Sequence, residues 1–209
     1  MKRVSGWALL ALATLLAGCA SPAQIRYYTL VAPQPAKVAT APADLDIEVA
    51  PVVVPRALRR RAMVLREGPA ELLVQDNHQW ITPLPDQLHA ALAADLVAKL
   101  GTHEVTGAAA AMRPVYRVSL TVTHFDAVYG GTLWLAARWS IARLAPTAAA
   151  RPLLTCPVQV RQSAGASYVA LAEAAQRDVG QVATQIAAAL RALPARTCPP
   201  MPISDPAPQ

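Results

Sequence analysis

Few side chains in this sequence stand in a setting that suggests chemistry, and Cys19 is the clearest of them. Its thiol follows Leu16-Ala17-Gly18. Upstream lie Lys2, Arg3 and an apolar run from Trp7 to Leu16. A charged start, a short apolar stretch and a small-residue exit make a secretory signal over residues 1–18. The run is too short to cross a bilayer core of ~30 Å, which takes ~20 apolar residues.

The placement of Cys19 directly after Leu-Ala-Gly resembles the bacterial lipobox. In that motif the cysteine is lipidated on sulfur, becomes the new N-terminus and is acylated again. Each buried methylene contributes ~0.8 kcal/mol, so one chain holds weakly and several hold firmly. The alternative is a plain signal peptide with an incidental cysteine. Residues 19–24 then form a lipidated tether. Ala20 and Ser21 differ from the aspartate that marks inner-membrane retention in enteric lipoproteins, which favours the outer membrane.

Two cysteines remain, Cys156 and Cys198, in a chain bound for an oxidising compartment. A bridge between them would close a loop of about 40 residues, worth roughly 4 kcal/mol on the loop-entropy argument. The alternative is a buried thiol in a strand and an exposed one in the tail. Neither has the close Cys or His partner that a zinc site needs, and no metal site is expected.

The four histidines, at 78, 89, 103 and 124, show no His-x-x-x-His spacing. There is no Gly-x-Ser-x-Gly elbow and no phosphate-cradling loop. His124 and Asp126 are the one conceivable acid–base pair. No nucleophile or second carboxylate accompanies them, so both read as strand-end polar residues and no catalytic residue is assigned. Tyr27, Tyr28, Trp80 and Trp139 read as core rather than as ligand contacts.

The elements that carry these residues follow from periodicity. Ile25–Leu30 has strand composition, and prolines 33, 35 and 42 mark an extended loop. Leu45, Ile47 and Val49 alternate with Asp46 and Glu48, the period of a half-buried strand. Its continuation, Pro51 to Pro55, suggests an edge or a strand end. Met63–Arg66 and Glu71–Gln75 are short strands around a Gly68-Pro69 turn. Between them and the preceding strand lie Arg59, Arg60 and Arg61. These belong outside the core, either as a solvated loop or as a contact for an acidic surface or phosphate groups.

Leucines at 84, 88, 92, 96 and 100 form one helical stripe, with Asp86 at the positive end and Gly101 as C-cap. His103–Thr106 is a short strand candidate. The strongest pattern is a hairpin. Tyr116, Val118, Leu120 and Val122 alternate with polar residues, and after Gly130-Gly131 so do Leu133, Leu135, Ala137, Trp139 and Ile141. Leu154, Cys156, Val158 and Val160 make a third strand, with Pro157 at an edge or bulge. Ser167 opens a long helix with Leu171, Ala175, Val179, Val182, Ile186, Leu190 and Leu193 on its apolar face, stopped by Pro194. The expected fold is α+β, a two-layer sandwich of a mainly antiparallel sheet with two amphipathic helices on one face. The domain spans 25–197, and 198–209 reads as a proline-rich disordered tail.

Bulk properties bound the partners. At 54% hydrophobic and 15% charged the chain can bury a core. The formal charge of +6 falls by two to +4 when Lys2 and Arg3 are removed. That is mild for nucleic-acid binding, which export also disfavours, while attraction to anionic headgroups stays open.

Several pieces in order resemble the PqiC/YmbA family, the ABC-type transport auxiliary lipoproteins. They are Tyr27-Tyr28-Thr29-Leu30 soon after a lipobox, Ile47-x-Val49-x-Pro51-Val52, and Pro55-x-x-Leu58-x-Arg60-x-x-Met63-Val64-x-Arg66. Trp80-x-x-Pro83-Leu84, Phe125-Asp126 with Gly130-Gly131, Leu135-x-Ala137-x-Trp139 and Tyr168 extend the likeness over nearly the whole domain. Departures are Ala57 and Arg59, where the family often has an aromatic and an acidic residue, the pair Cys156/Cys198, and the tail. The resemblance implies a non-catalytic docking lipoprotein on the periplasmic face of the outer membrane, without a cofactor beyond the covalent lipid on Cys19. Its partners would be a periplasm-spanning protein with mammalian-cell-entry (MCE) domains and an inner-membrane transporter component, with a homo-oligomeric ring receiving the partner's distal end. Such systems are thought to move lipids between membranes and to support envelope integrity. Two other readings stay open: a periplasmic lipid carrier acting alone, and an envelope enzyme using His124 and Asp126. For the first reading the candidate contact is the Arg59–Arg61 loop.

Overall fold

The computed structural model describes residues 24–33, 41–107, 112–145 and 151–201. Strands are β1 (Arg26–Tyr28), β2 (Asp46–Val49), β3 (Ala62–Arg66), β4 (Leu72–Trp80), β5 (Val115–Ala127), β6 (Thr132–Arg143) and β7 (Pro152–Ser163). The helices are α1 (Leu84–Leu100) and α2 (Tyr168–Arg191), with a 3-10 turn at Arg56–Leu58. All seven strands form one sheet in the order β1-β4-β3-β5-β6-β7, and β2 pairs with β5 beside β3. The helices pack against the sheet, and the fold is α+β as expected.

The β5–β6–β7 meander is the frame. In it Leu120, Trp139 and Cys156 lie in one row, as do Phe125, Leu135 and Val160, and all six face the helices. Period-2 alternation forces this: a strand with every second residue apolar can bury only one face. A register shift between Val122 and His124 lets Phe125 and Ala127 return to the buried face. Gly130 turns the hairpin at φ +68°, a conformation open to glycine. β7 is an edge strand, which is where Pro157 is tolerated.

The sheet is mixed rather than purely antiparallel. β2 runs parallel to the first part of β5 (Asp46 beside Val115), Val53 bridges to Thr121, and Leu65 of β3 sits beside Ala127. One stretch of chain therefore lines a single edge of β5. Between Val53 and Leu65 it uses twelve residue steps where β5 uses six, so the excess is pushed out as the 3-10 turn and the arginine loop.

The alternation in β2 suggests a half-buried strand, yet Asp46 is only 7% exposed. Residues 103–105 cover its other side, through backbone bonds between Ile47 and both His103 and Val105. The carboxylates are compensated: Asp46 pairs with Arg113 and accepts from Thr102, and Glu48 meets Arg117 at 2.7 Å. The proposed strand at 103–106 is no more than a bridge between Ile47 and Glu104. β4 runs five residues past the expected Gln75.

α1 buries Leu84, Leu88, Leu92, Leu96 and Leu100, and Gly101 caps it at φ +63° with its N–H on the Val97 carbonyl. Ser167 caps α2 by accepting from the Ala170 N–H at 3.1 Å. Leu171, Ala175, Val179, Val182, Ile186 and Leu190 are all buried against the sheet and α1, but the helix ends at Arg191, so Leu193 packs on the core from beyond it rather than as a last helical position.

Candidate functional site

Cys19, the signal segment and residues 19–23 of the tether lie outside the described residues. The chain is described from Gln24, two residues before β1.

Arg59, Arg60 and Arg61 are exposed, and none forms an ion pair among the described residues. Their loop is nevertheless well fixed. The Arg59 guanidinium donates to the Val54 carbonyl at 3.3 Å, and the carbonyls of Arg60 and Arg61 accept from Leu84 and Trp80. The result is a set of solvated cations on a rigid backbone, held at the start of α1.

The structure brings Cys156 and Cys198 together, with Cα atoms 5.6 Å apart and the sulfurs in bonding contact. That spacing suits a disulfide. Of the expected tail, 198–201 are described: the Pro200 carbonyl accepts from Gln185 Nε2 at 2.8 Å. Residues 202–209 lie outside the described residues.

His124 and Asp126 engage different partners. Both stand on the open face of the sheet, where Asp126 Oδ1 takes two bonds from the Arg66 guanidinium, at 3.0 and 2.8 Å. His124 stacks on Trp134 with ring centres 4.6 Å apart, and Trp134 carries the Arg161 guanidinium 5.5 Å from its ring centre. The carboxylate is thus committed to an ion pair and the imidazole to a stack. Among the described residues no three side chains of metal-binding type converge.

Trp80 and Trp139 are core, but Tyr27 is 51% exposed and Tyr28 is half-buried. Tyr27 faces away from the helix layer because it neighbours Tyr28 on a strand. Tyr28 instead joins a cluster that sequence reasoning missed. Its hydroxyl lies 2.8 Å from His78 Nδ1, His78 stacks on Tyr168 at 3.5 Å, and Tyr129 stands 5.3 Å from Tyr168. Burial, and secondarily Arg26, lowers the His78 pKa and favours the neutral ring. These residues come from β1, β4, the β5–β6 turn and α2, and no local pattern links them.

Asp178 was also missed. It is fully buried in α2, neither carboxyl oxygen has a hydrogen-bond partner among the described residues, and burial pushes its pKa up to about 8. A signal existed: Asp178 occupies a position within the apolar stripe between Ala175 and Val182.

The described residues thus form a helix-backed mixed sheet that carries a solvated cationic loop at the start of α1. A family model described as "ABC-type transport auxiliary lipoprotein component" matches residues 28–187. The chain belongs to this family of lipoproteins that serve transport as accessory components. No curated protein matches the sequence. Among solved structures, an uncharacterized protein is similar at a TM-score of 0.62 and 19% identity, covering 79% of this chain and 97% of its own. Protein XCC0632 from Xanthomonas campestris, of family DUF330, is similar at a TM-score of 0.60 and 17% identity, covering 78% and 92%. These likenesses establish the shared fold. No helix among the described residues is long and apolar enough to cross a membrane.

Proposed function

We propose that this chain is an outer-membrane lipoprotein, anchored through acylated Cys19 on the periplasmic face. There it would act as the non-catalytic docking subunit of an intermembrane lipid transport system with an MCE-domain partner. The family match over residues 28–187 carries this reading. The lipobox and the residues Ala20 and Ser21 support the membrane assignment. Confinement at a surface raises the effective concentration of a docking domain for a partner that spans the periplasm. The Arg59–Arg61 loop is the contact we assign to that partner. Its charges are solvated and unpaired among the described residues, while its backbone is already ordered, so little entropy is lost on binding.

Acting alone as a lipid carrier is the weaker alternative. The space between sheet and helices lined by Leu58, Met63, Leu65, Trp80, Phe125 and Leu171 has a volume of about 10 Å³. That is room for about one water, not an acyl chain. The test is purification of the acylated protein from crosslinked envelopes with mass spectrometry of what comes with it. An MCE-domain protein supports docking. Phospholipid with no such partner supports the carrier.

A further inference from the structure

We propose that one end of the sandwich rests directly on the bilayer, with the β3–β4 hairpin and the β5–β6 turn dipping into the headgroup layer. This rests on the reading of Cys19 as the anchor.

Strand directions gather several segments at that end. β3 finishes at Arg66 beside the end of β5, because Leu65 pairs with Ala127. The β5–β6 turn follows at once, and Thr132 pairs with Ser163 at the end of β7. Tyr129 donates to the Ala166 carbonyl at 2.8 Å, which places the start of α2 there too. This end exposes Leu72, Leu73, Val74, Val128, Tyr129 and Val169, each 37 to 55% exposed. Six large apolar side chains around one rim are hard to explain as chance surface residues.

The anchor points the same way. β1 runs parallel to β4 with Arg26 beside His78, so its N-terminal end faces the Leu72 end of β4 and Gln24 comes about level with Asp76. From that level to Leu72 is four strand residues, ~13 Å. From Gln24 back to Cys19 is five residues, at most ~18 Å of chain. A cysteine whose acyl chains lie in the membrane therefore holds the bilayer surface close to the hairpin tip. Glu67 and Glu71 flank that tip and would be repelled by anionic lipid, so the contact is apolar rather than charge-driven. Amphipathic elements of this kind settle ~5–10 Å into the headgroup and acyl boundary. The arginine loop sits at the opposite end of β3, pointed into the periplasm.

The experiment uses the full acylated protein in vesicles of phosphatidylethanolamine and phosphatidylglycerol with brominated acyl chains. Leu73→Trp and Val128→Trp each add an indole at the rim, and Ile81→Trp adds one at the far end of β4. The added emission should be quenched in the first two and untouched in the third, and unchanged by high salt. Equal quenching at all three, or none at Leu73→Trp and Val128→Trp in protein whose intact mass shows acylation, overturns the proposal. An intact mass without acyl chains overturns the anchor reading and the proposal with it.

Discussion

Trp139, buried on β6, donates its indole N–H to Oε1 of Gln185 on α2 at 3.1 Å, and the same amide donates onward to the Pro200 carbonyl. One glutamine thus ties the sheet, the helix layer and the returning C-terminal segment. Replacing it by Ala leaves a fully buried indole N–H without its acceptor, which costs ~1–3 kcal/mol. Urea unfolding of Gln185→Ala should show that loss with an unchanged slope. A change below ~0.5 kcal/mol would mean that water replaces the amide.

Asp178 makes stability depend on pH. Its folded pKa is raised to about 8 from an ordinary 3.8 because burial disfavours the charged form. Between those values the folded chain holds a proton that the unfolded chain has released. Stability is therefore greatest below pH 4 as far as this group is concerned, and it declines as pH rises to about 8. Asp178→Asn should remove that slope and raise the melting temperature most at pH 8 and above. Melting curves of both proteins from pH 4 to 9 check it; parallel curves would show that Asp178 does not titrate in this window.

Cys156 and Cys198 are separated by 42 residues. A bridge of that loop length is worth ~4 kcal/mol on the loop-entropy argument. The double substitution Cys156→Ser, Cys198→Ser should lower unfolding free energy by an amount of that order. Intact mass under non-reducing conditions should show two hydrogens missing from the native chain. Two free thiols in protein taken from the envelope would sink this prediction.

The meander and both helices were legible because each buries one face and exposes the other, which writes a period into the sequence. β4 was cut short because Asp76, Asn77, His78 and Gln79 carry no alternation. The strand lies near the sheet's rim and is mostly exposed on both faces, so nothing constrains its pattern. The parallel pairing of β2 and β3 along β5 joins residues some sixty positions apart, and no local signal encodes it. The same holds for the Arg66–Asp126 pair, whose members were each visible but not their meeting. For Cys156 and Cys198 only the oxidising compartment suggests a bridge, because no local pattern links a strand residue to one in the tail.

Asp126 tests the non-catalytic reading. Its pair with Arg66 is partly solvated, with side chains 33% and 19% exposed for Arg66 and Asp126, and such pairs are worth at most ~1 kcal/mol. Asp126→Asn should cost no more than that, and a complementation assay of envelope integrity should be unaffected. Loss of protection in a folded Asp126→Asn or His124→Ala protein would reopen the enzyme reading.

The arginine loop is where docking is tested most directly. Triple substitution of Arg59, Arg60 and Arg61 by Ala removes the Arg59–Val54 hydrogen bond and otherwise only solvated side chains, so it should cost no more than ~1.5 kcal/mol. A photo-crosslinking residue placed at Arg60 in the acylated protein, activated in intact envelopes, should yield an adduct containing an MCE-domain protein. That adduct should disappear when Arg59 and Arg61 are Ala. An acylated, folded protein that gives no protein adduct at this position, or gives only lipid adducts, would contradict the docking account.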